Sequence, residues 1–320
     1  MHERHPNDSV TGSAPEPAST LDFRAGLWRL ADPKISLTSV ASMYLGTAVA
    51  VRESAFSLTW LVVMFIALFA MEVAKNAWGD VFDFDSGDDL AVAPQDRTPF
   101  SGGKRVLVDG LLTRAQTWAI ALGFGALGVG LGAAVVFLRE PAAFWIGLVG
   151  LALGWSYHGP PLRLAYRGLG ELDVVACYGP LVALSTYLVL AHRLSWSVFW
   201  LSLPLGIIIA AFLWVNEFPD YEADRQSGKH NLVSRLGRRR AARWLPLIYA
   251  TAFGVLLCLP LAGLPSAVWL GGLALLPAGY ACVRVWQAPE TFHRTYPAQP
   301  AALIAFLVYS AGAGTGVIVG

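Results

Sequence analysis

Charge is scarce in this chain of 320 residues: 14% of positions are Asp, Glu, Lys or Arg, against roughly 25% in ordinary soluble domains. A water-facing surface cannot be built from so few ionic groups when 55% of residues are hydrophobic and the mean hydropathy is +0.53. The near-neutral balance, +1, gives no basic surface for a polyanion, and no aromatic-interleaved basic patch is present, so nucleic acid is not an expected partner. Cysteine is nearly absent. Cys177, Cys258 and Cys282 lie in or beside apolar segments without CxxC or Cys/His spacing, which argues against disulfides and zinc. Residues 1–22 lack the apolar core of a signal peptide and, being rich in Pro, Ser, Ala and Glu, read as a disordered cytoplasmic tail ahead of one domain over residues 23–320.

What the chain has in abundance is long apolar runs, each of about 20 residues and so long enough to cross a bilayer. Nine spans are expected, near 35–52, 57–80, 115–138, 141–157, 171–191, 195–218, 243–263, 266–285 and 299–319. The fold class is therefore an all-α polytopic membrane bundle. With the N-terminus inside, 20 of the 23 Lys and Arg fall on one face, leaving Arg52, Arg139 and Arg193 for the other. Basic residues beside spans stay in the cytoplasm, so the long polar loops after the second and sixth spans are expected there, in a plasma or inner membrane.

Both of those loops begin with carboxylates. The second span ends NAWGDVFDFDSGDD, which places Asn76, Asp80 and Asp83 on one helical face before Asp85, Asp88 and Asp89. The sixth ends NEFPDYEADRQSGK, with Asn216, Asp220 and Asp224 on one face. The arrays are 140 residues apart, and each is followed by a Ser-Gly-(Gly)-Lys step and a Leu-Val pair, the pattern of a duplicated four-helix unit. Carboxylates gathered near hydrocarbon repel one another and need a cation. Hard oxygen donors without His or Cys suit Mg²⁺, which commonly joins carboxylates to substrate phosphates. Two facing arrays can hold two Mg²⁺ ions around a diphosphate, letting an allylic C–O bond ionise in an apolar, aromatic-lined cavity. A solvated acidic loop would explain one array alone. An ion-coupled transporter would also carry carboxylates, though usually near the bilayer midplane rather than at helix ends.

At these arrays the sequence resembles the UbiA superfamily of intramembrane prenyltransferases, over essentially everything after residue 25. The segments SGGKRVLVDG, YHGPPLRLAYRGLGE and NEFPDYEADRQSGKHNLVSRLG make it most similar to the branch that forms menaquinone precursors. The resemblance implies nine helices under a cytoplasmic cap. It also implies a first Mg²⁺ site at Asn76, Asp80 and Asp83 with Asp89 as its outer member, and a second at Asp220 and Asp224, beside Asn216. Lys104, Arg225 and Lys229 become candidate diphosphate partners, with Arg163 and Arg167 as further basic residues at the same face. Tyr157 matches a tyrosine near the ionising bond of relatives.

The implied reaction is transfer of a prenyl group from a polyprenyl diphosphate to an aromatic acceptor, 1,4-dihydroxy-2-naphthoate first. Homogentisate, 4-hydroxybenzoate or a tetrapyrrole as acceptor, or cyclisation of the donor itself, stay open. Two departures bear on the acceptor: Gly79 stands where relatives commonly have Asn, and Asp32 where many have Arg.

Overall fold

A computed structural model describes residues 22–291 and 296–320, and the expectation of a disordered tail lies, apart from Asp22, outside them. Asp22 caps α1 (Phe23–Ala31) by accepting the Ala25 amide at 3.0 Å. Asp32 then turns the chain in the left-handed region, and Pro33, which needs no amide partner, starts α2 (Pro33–Arg52).

The long α3 (Leu58–Ser86) stops at Gly87, whose φ of +81° suits glycine. The short α4 (Asp88–Ala91) and an irregular stretch lead to α5 (Arg114–Leu138), opened by a reciprocal Thr113/Gln116 capping box. There follow α6 (Ala143–His158), α7 (Gly170–Ala176), a π turn at Cys177–Leu181 bent at Gly179, and α8 (Val182–Ala191). The second half holds α9 (Trp196–Ser227), the short α10 (Leu232–Leu236), α11 (Arg238–Cys258), α12 (Leu275–Gln287) and α13 (Ala298–Val319).

Among the described residues, eight helical segments are long and apolar enough to cross a membrane. The expected fourth span is present as α6, but its 16 residues cover about 24 Å at 1.5 Å per residue, short of the roughly 30 Å hydrocarbon core. Against the expected nine, the described residues thus give eight full-length candidates, with α6 falling short of a ninth. Outward-facing Leu122, Phe137, Leu138 and Leu276 are exposed, as expected where lipid rather than water is the surrounding solvent.

The core gathers on α9, where Leu201, Leu205, Ile208 and Ala211 are fully buried. Small residues permit that packing: a Cβ on Gly206 would stand 2.4 Å from the Val175 carbonyl oxygen, so the α7–α8 segment crosses α9 almost backbone to backbone. Buried polar groups inside the bundle find backbone partners, as Tyr309 does at the Leu201 carbonyl (2.8 Å) and Trp214 at the Ala241 carbonyl (3.1 Å).

The two ends differ in chemistry. At one, Arg52 donates to the Val317 carbonyl, Arg139 to those of Val189 and Leu190, and Arg193 pairs with Glu53 at 2.6 Å. These are the three arginines that the charge count set apart. At the other end α3 and α9 deliver their carboxylates beneath the loops 87–113, 159–169 and 228–237.

Candidate functional site

Helical periodicity places Asn76, Asp80 and Asp83 on the buried face of α3, at 8%, 3% and 9% exposure. They hold different partners. The Asn76 amide donates to the Leu30 carbonyl at 2.8 Å, tying α3 to the end of α1. Both Asp80 oxygens accept backbone amides, Val106 and Leu107 at 3.2 Å each, which folds the loop after α4 back over the helix. Asp83 accepts the Tyr166 hydroxyl at 2.7 Å and faces His158 Nε2 at 3.6 Å.

Past Gly87 the chain reverses, and α4 returns Asp88 and Asp89 toward Asp83. Ligand oxygens of these three buried carboxylates lie within 4.8 Å of one another. Asp85 goes the other way and pairs with Arg114 on the surface. Gly103 makes room for the cluster: a Cβ there would fall 1.9 Å from Asp89 Oδ1, at a φ of +74°.

The second array meets the first through Lys229. Its ammonium lies 2.7 Å from Asp88 Oδ2 and 3.5 Å from Asp224 Oδ1, and Ser227 donates to Asp88 at 2.7 Å. Asn231 donates to the other Asp224 oxygen at 2.5 Å. Burial opposes the charge on Lys229, but Asp88, Asp224 and Asp83 outweigh it and hold the ammonium well above its usual range. Burial would likewise raise Asp88, yet Lys229 and Ser227 keep it below the ordinary carboxylate value. Asp89 is pushed well above that value, by burial first and then by the negative Asp83 and Asp80.

The first array opens on a cavity of about 620 Å³ whose walls include Asp80, Asp83, Asp89, Lys104 and His158. Asp220 and Asp224 are not among its lining residues. Lys104 is paired with Asp32, which also takes Lys34 at 3.0 Å, so Asp32 anchors a lysine at the cavity wall. Arg163 stacks on Tyr166, its guanidinium carbon 3.9 Å from the ring centroid. Arg167 donates to the Pro161 carbonyl and Arg225 to the Tyr221 hydroxyl, both on the exposed rim. Tyr157 packs edge-on against His158, with ring centroids 4.7 Å apart.

Several buried oxygens here have no hydrogen-bond donor: Asp89 Oδ2, Asp220 Oδ1, Asn216 Oδ1 and Asp224 Oδ1, the last with only the Lys229 ammonium at 3.5 Å. Buried anions without donors are costly unless a cation pairs with them. Oxygen donors of this kind fit a hard divalent cation, which Asp83, Asp88 and Asp89 could hold together. Residue periodicity had not singled out Asp88 or His158. Asp88 is visible in the sequence only as one more acidic residue, because its role depends on the turn at Gly87.

The UbiA prenyltransferase family model matches residues 39–310, most of the chain. The chain belongs to the UbiA prenyltransferase family. It is accordingly an enzyme, a membrane prenyltransferase. It is 32% identical to a 2-carboxy-1,4-naphthoquinone phytyltransferase of Synechocystis, over 82% of this chain and 86% of that one. It is 26% identical to a 1,4-dihydroxy-2-naphthoate octaprenyltransferase of Bacillus subtilis, over 76% of each. Among solved structures, an apo UbiA homologue from Aeropyrum pernix shares the fold at a TM-score of 0.68 and 20% identity, covering 87% of this chain and 96% of its own. A UbiA homologue from Archaeoglobus fulgidus bound to GPP and Mg²⁺ matches at a TM-score of 0.61 and 16% identity, covering 92% of this chain and all of its own.

Proposed function

We propose that this UbiA enzyme transfers a prenyl group from a Mg²⁺-held polyprenyl diphosphate to an aromatic acceptor, 1,4-dihydroxy-2-naphthoate or a close relative. The observation that carries the reading is the convergence of Asp83, Asp88 and Asp89 on one point, with Lys229 spanning the gap to Asp224. The naphthoate and naphthoquinone relatives support the acceptor, and the GPP- and Mg²⁺-bound homologue supports the donor and the ion.

Asp83, Asp88 and Asp89 would hold one Mg²⁺, with Asn76 and Asp80 behind them, and Asn216, Asp220 and Asp224 would hold a second. Bound Mg²⁺ supplies positive charge that stabilises the departing diphosphate. Lys229 and Lys104 add fixed cations at the same face, and Arg163, Arg167 and Arg225 form an outer basic rim that meets the incoming diphosphate. When the allylic C–O bond breaks, the carbocation is left among Tyr157, Trp155, Trp78 and Phe82. The Trp155 ring already packs on Trp78, with centroids 5.7 Å apart, and on Phe82 at 5.6 Å, and these π faces favour a cation while excluding water. The electron-rich ring carbon of the acceptor then attacks, and its proton passes to a neighbouring carboxylate or to the released diphosphate.

The charge count supports a cytoplasmic placement of the carboxylate end in a cell inner membrane, because 19 of 23 Lys and Arg fall to that face once Lys75, which lies within α3, is set aside. The test is to incubate detergent-purified protein with Mg²⁺, radiolabelled prenyl diphosphates and a panel of phenolic acceptors, beside an Asp80→Ala/Asp220→Ala control. Acceptor-dependent product that vanishes in the control is the expected result. Labelled hydrocarbon made without acceptor would replace transfer by cyclisation, and an absence of Mg²⁺-dependent diphosphate release would overturn the proposal.

A further inference from the structure

The carboxylate clusters leave unexplained a lysine deeper in the bundle. Lys75 lies on α3 eight positions before Asp83, about 12 Å further from the loops at 1.5 Å per residue. It is half-buried within a segment long enough to cross the membrane. Ammonium groups at such depth normally face a carboxylate. Among the described residues, none lies within the 4.0 Å of an ion pair with Lys75.

The nearby acids Glu72 and Asp173 attract Lys75 from beyond ion-pair distance, and each has a closer partner of its own. Glu72, one turn deeper, takes the Ser39 hydroxyl, and Asp173 receives the Cys177 thiol at 3.8 Å. Lys75 instead donates to the Tyr178 hydroxyl at 3.2 Å, and its nitrogen lies 5.3 Å and 5.5 Å from the ring centroids of Tyr157 and Tyr178. An ammonium has three donors. With one given to Tyr178, two are left, flanked by aromatic faces. That is the reception a planar aromatic acid would need: rings beside its ring, and a cation for its carboxylate.

The position ties this group to the reaction. Tyr157, beside Lys75, packs on His158, and His158 faces Asp83 at 3.6 Å. A continuous line of side chains therefore runs from the lysine to the first carboxylate array.

We propose that Lys75, held by Tyr178, determines acceptor specificity by binding the carboxylate of an aromatic acid. The inference rests on the prenyl-transfer reading above. Anchoring the acid at Lys75 fixes the ring that bears both the carboxylate and the hydroxyls beside Tyr157, so that its electron-rich carbon is held toward the place where the donor ionises. A neutral acceptor of the same shape lacks that anchor. A hydrogen bond to a charged group is worth about tenfold in affinity or more, so acids are favoured by at least that factor.

The test has a binding arm and a transfer arm. In the first, 1-hydroxy-2-naphthoate and 1-naphthol are compared by equilibrium dialysis against the detergent-solubilised protein and its Lys75→Met, Lys75→Arg and Tyr178→Phe variants. The expected result is a preference for the acid of about tenfold or more that collapses in Lys75→Met, survives in Lys75→Arg and weakens in Tyr178→Phe. A purely structural lysine would leave the ratio of the two affinities unmoved. Should Lys75→Met not fold, Lys75→Arg and Tyr178→Phe decide the matter by the same ratio. An acid preference that persists without Lys75, a wild type that shows none, or a loss confined to geranyl diphosphate binding would each overturn the proposal.

In the second arm, 1,4-dihydroxy-2-naphthoate and 1,4-dihydroxynaphthalene compete as acceptors for a prenyl diphosphate. Transfer whose acid preference outlasts Lys75→Met refutes the lysine's role and leaves the prenyl-transfer reading standing. Lysine-dependent acid binding without any transfer does the reverse.

Discussion

Asp80 and Asp89 line the same cavity yet hold opposite kinds of partner. Asp80 closes two backbone hydrogen bonds, to Val106 and Leu107, so Asp80→Ala strands two amides at a cost of about 1–3 kcal/mol each. A lower melting temperature in metal-free protein is the expected outcome, measured by thermal unfolding with EDTA present. Asp89 instead has a buried oxygen without a donor and like charges around it. Asp89→Asn relieves that repulsion, so the metal-free protein should melt no lower than wild type while Mg²⁺ affinity drops by about tenfold or more, as losing a charged ligand implies. The sign of the pH dependence follows from the same residue. Burial, Asp83 and Asp80 raise the Asp89 carboxyl well above the ordinary range, and a proton there competes with the ion. Mg²⁺ affinity should therefore rise with pH through an interval above that of a free carboxylate, and a calorimetric titration in which affinity is flat or falls would contradict the placement of Asp89 in the site.

At the scale of elements, the site depends on how the chain turns after α3. Gly103 carries φ +74° directly against Asp89, and Gly103→Ala should displace either that carboxylate or the loop. The expectation is a large loss of Mg²⁺-dependent turnover with little change in helix content by circular dichroism, since the strain stays in the loop. The opposite end has a clamp of its own: Tyr187 and Arg193 converge on Glu53. Burial alone would raise Glu53, but the hydrogen bonds from Tyr187 and Arg193 bring it below its usual value. A lowered folded-state value contributes stability that is present above the unfolded value and lost as pH falls through the folded one. Stability should thus decline on the acid side, and Glu53→Gln should flatten that limb; because Arg193 is largely exposed, the effect is modest.

For the whole molecule, the two halves meet at the carboxylate end on Asp88, which takes Ser227 and Lys229, the latter from across 141 positions of sequence. Ligands that bind only the folded protein stabilise it, by about 2.7 kcal/mol at a hundred times Kd. Mg²⁺ with a prenyl diphosphate should accordingly raise the melting temperature more than either alone, and EDTA should abolish the gain. Lys229→Met should shrink the gain without removing it, because the carboxylates of both arrays are still present.

How much of this was legible in the sequence follows from the range of each interaction. Lipid as solvent, the apolar spans and the shared faces of Asn76, Asp80 and Asp83 and of Asn216, Asp220 and Asp224 were open to direct reading, because hydropathy and the 3.6-residue period are local properties. The charge asymmetry was legible for the same reason. Three decisions belong to the tertiary structure. Asp88 and Asp89 join Asp83 while Asp85 leaves for Arg114, since a left-handed turn at Gly87 redirects residues that look alike in the acidic run. Lys104 is bound to Asp32, 72 positions away. Lys75 donates to Tyr178, 103 positions away, and among the described residues no carboxylate lies within ion-pair distance of it. Spacing along a chain cannot report which distant groups satisfy a buried charge; only the packing of α3 against its neighbours determines that.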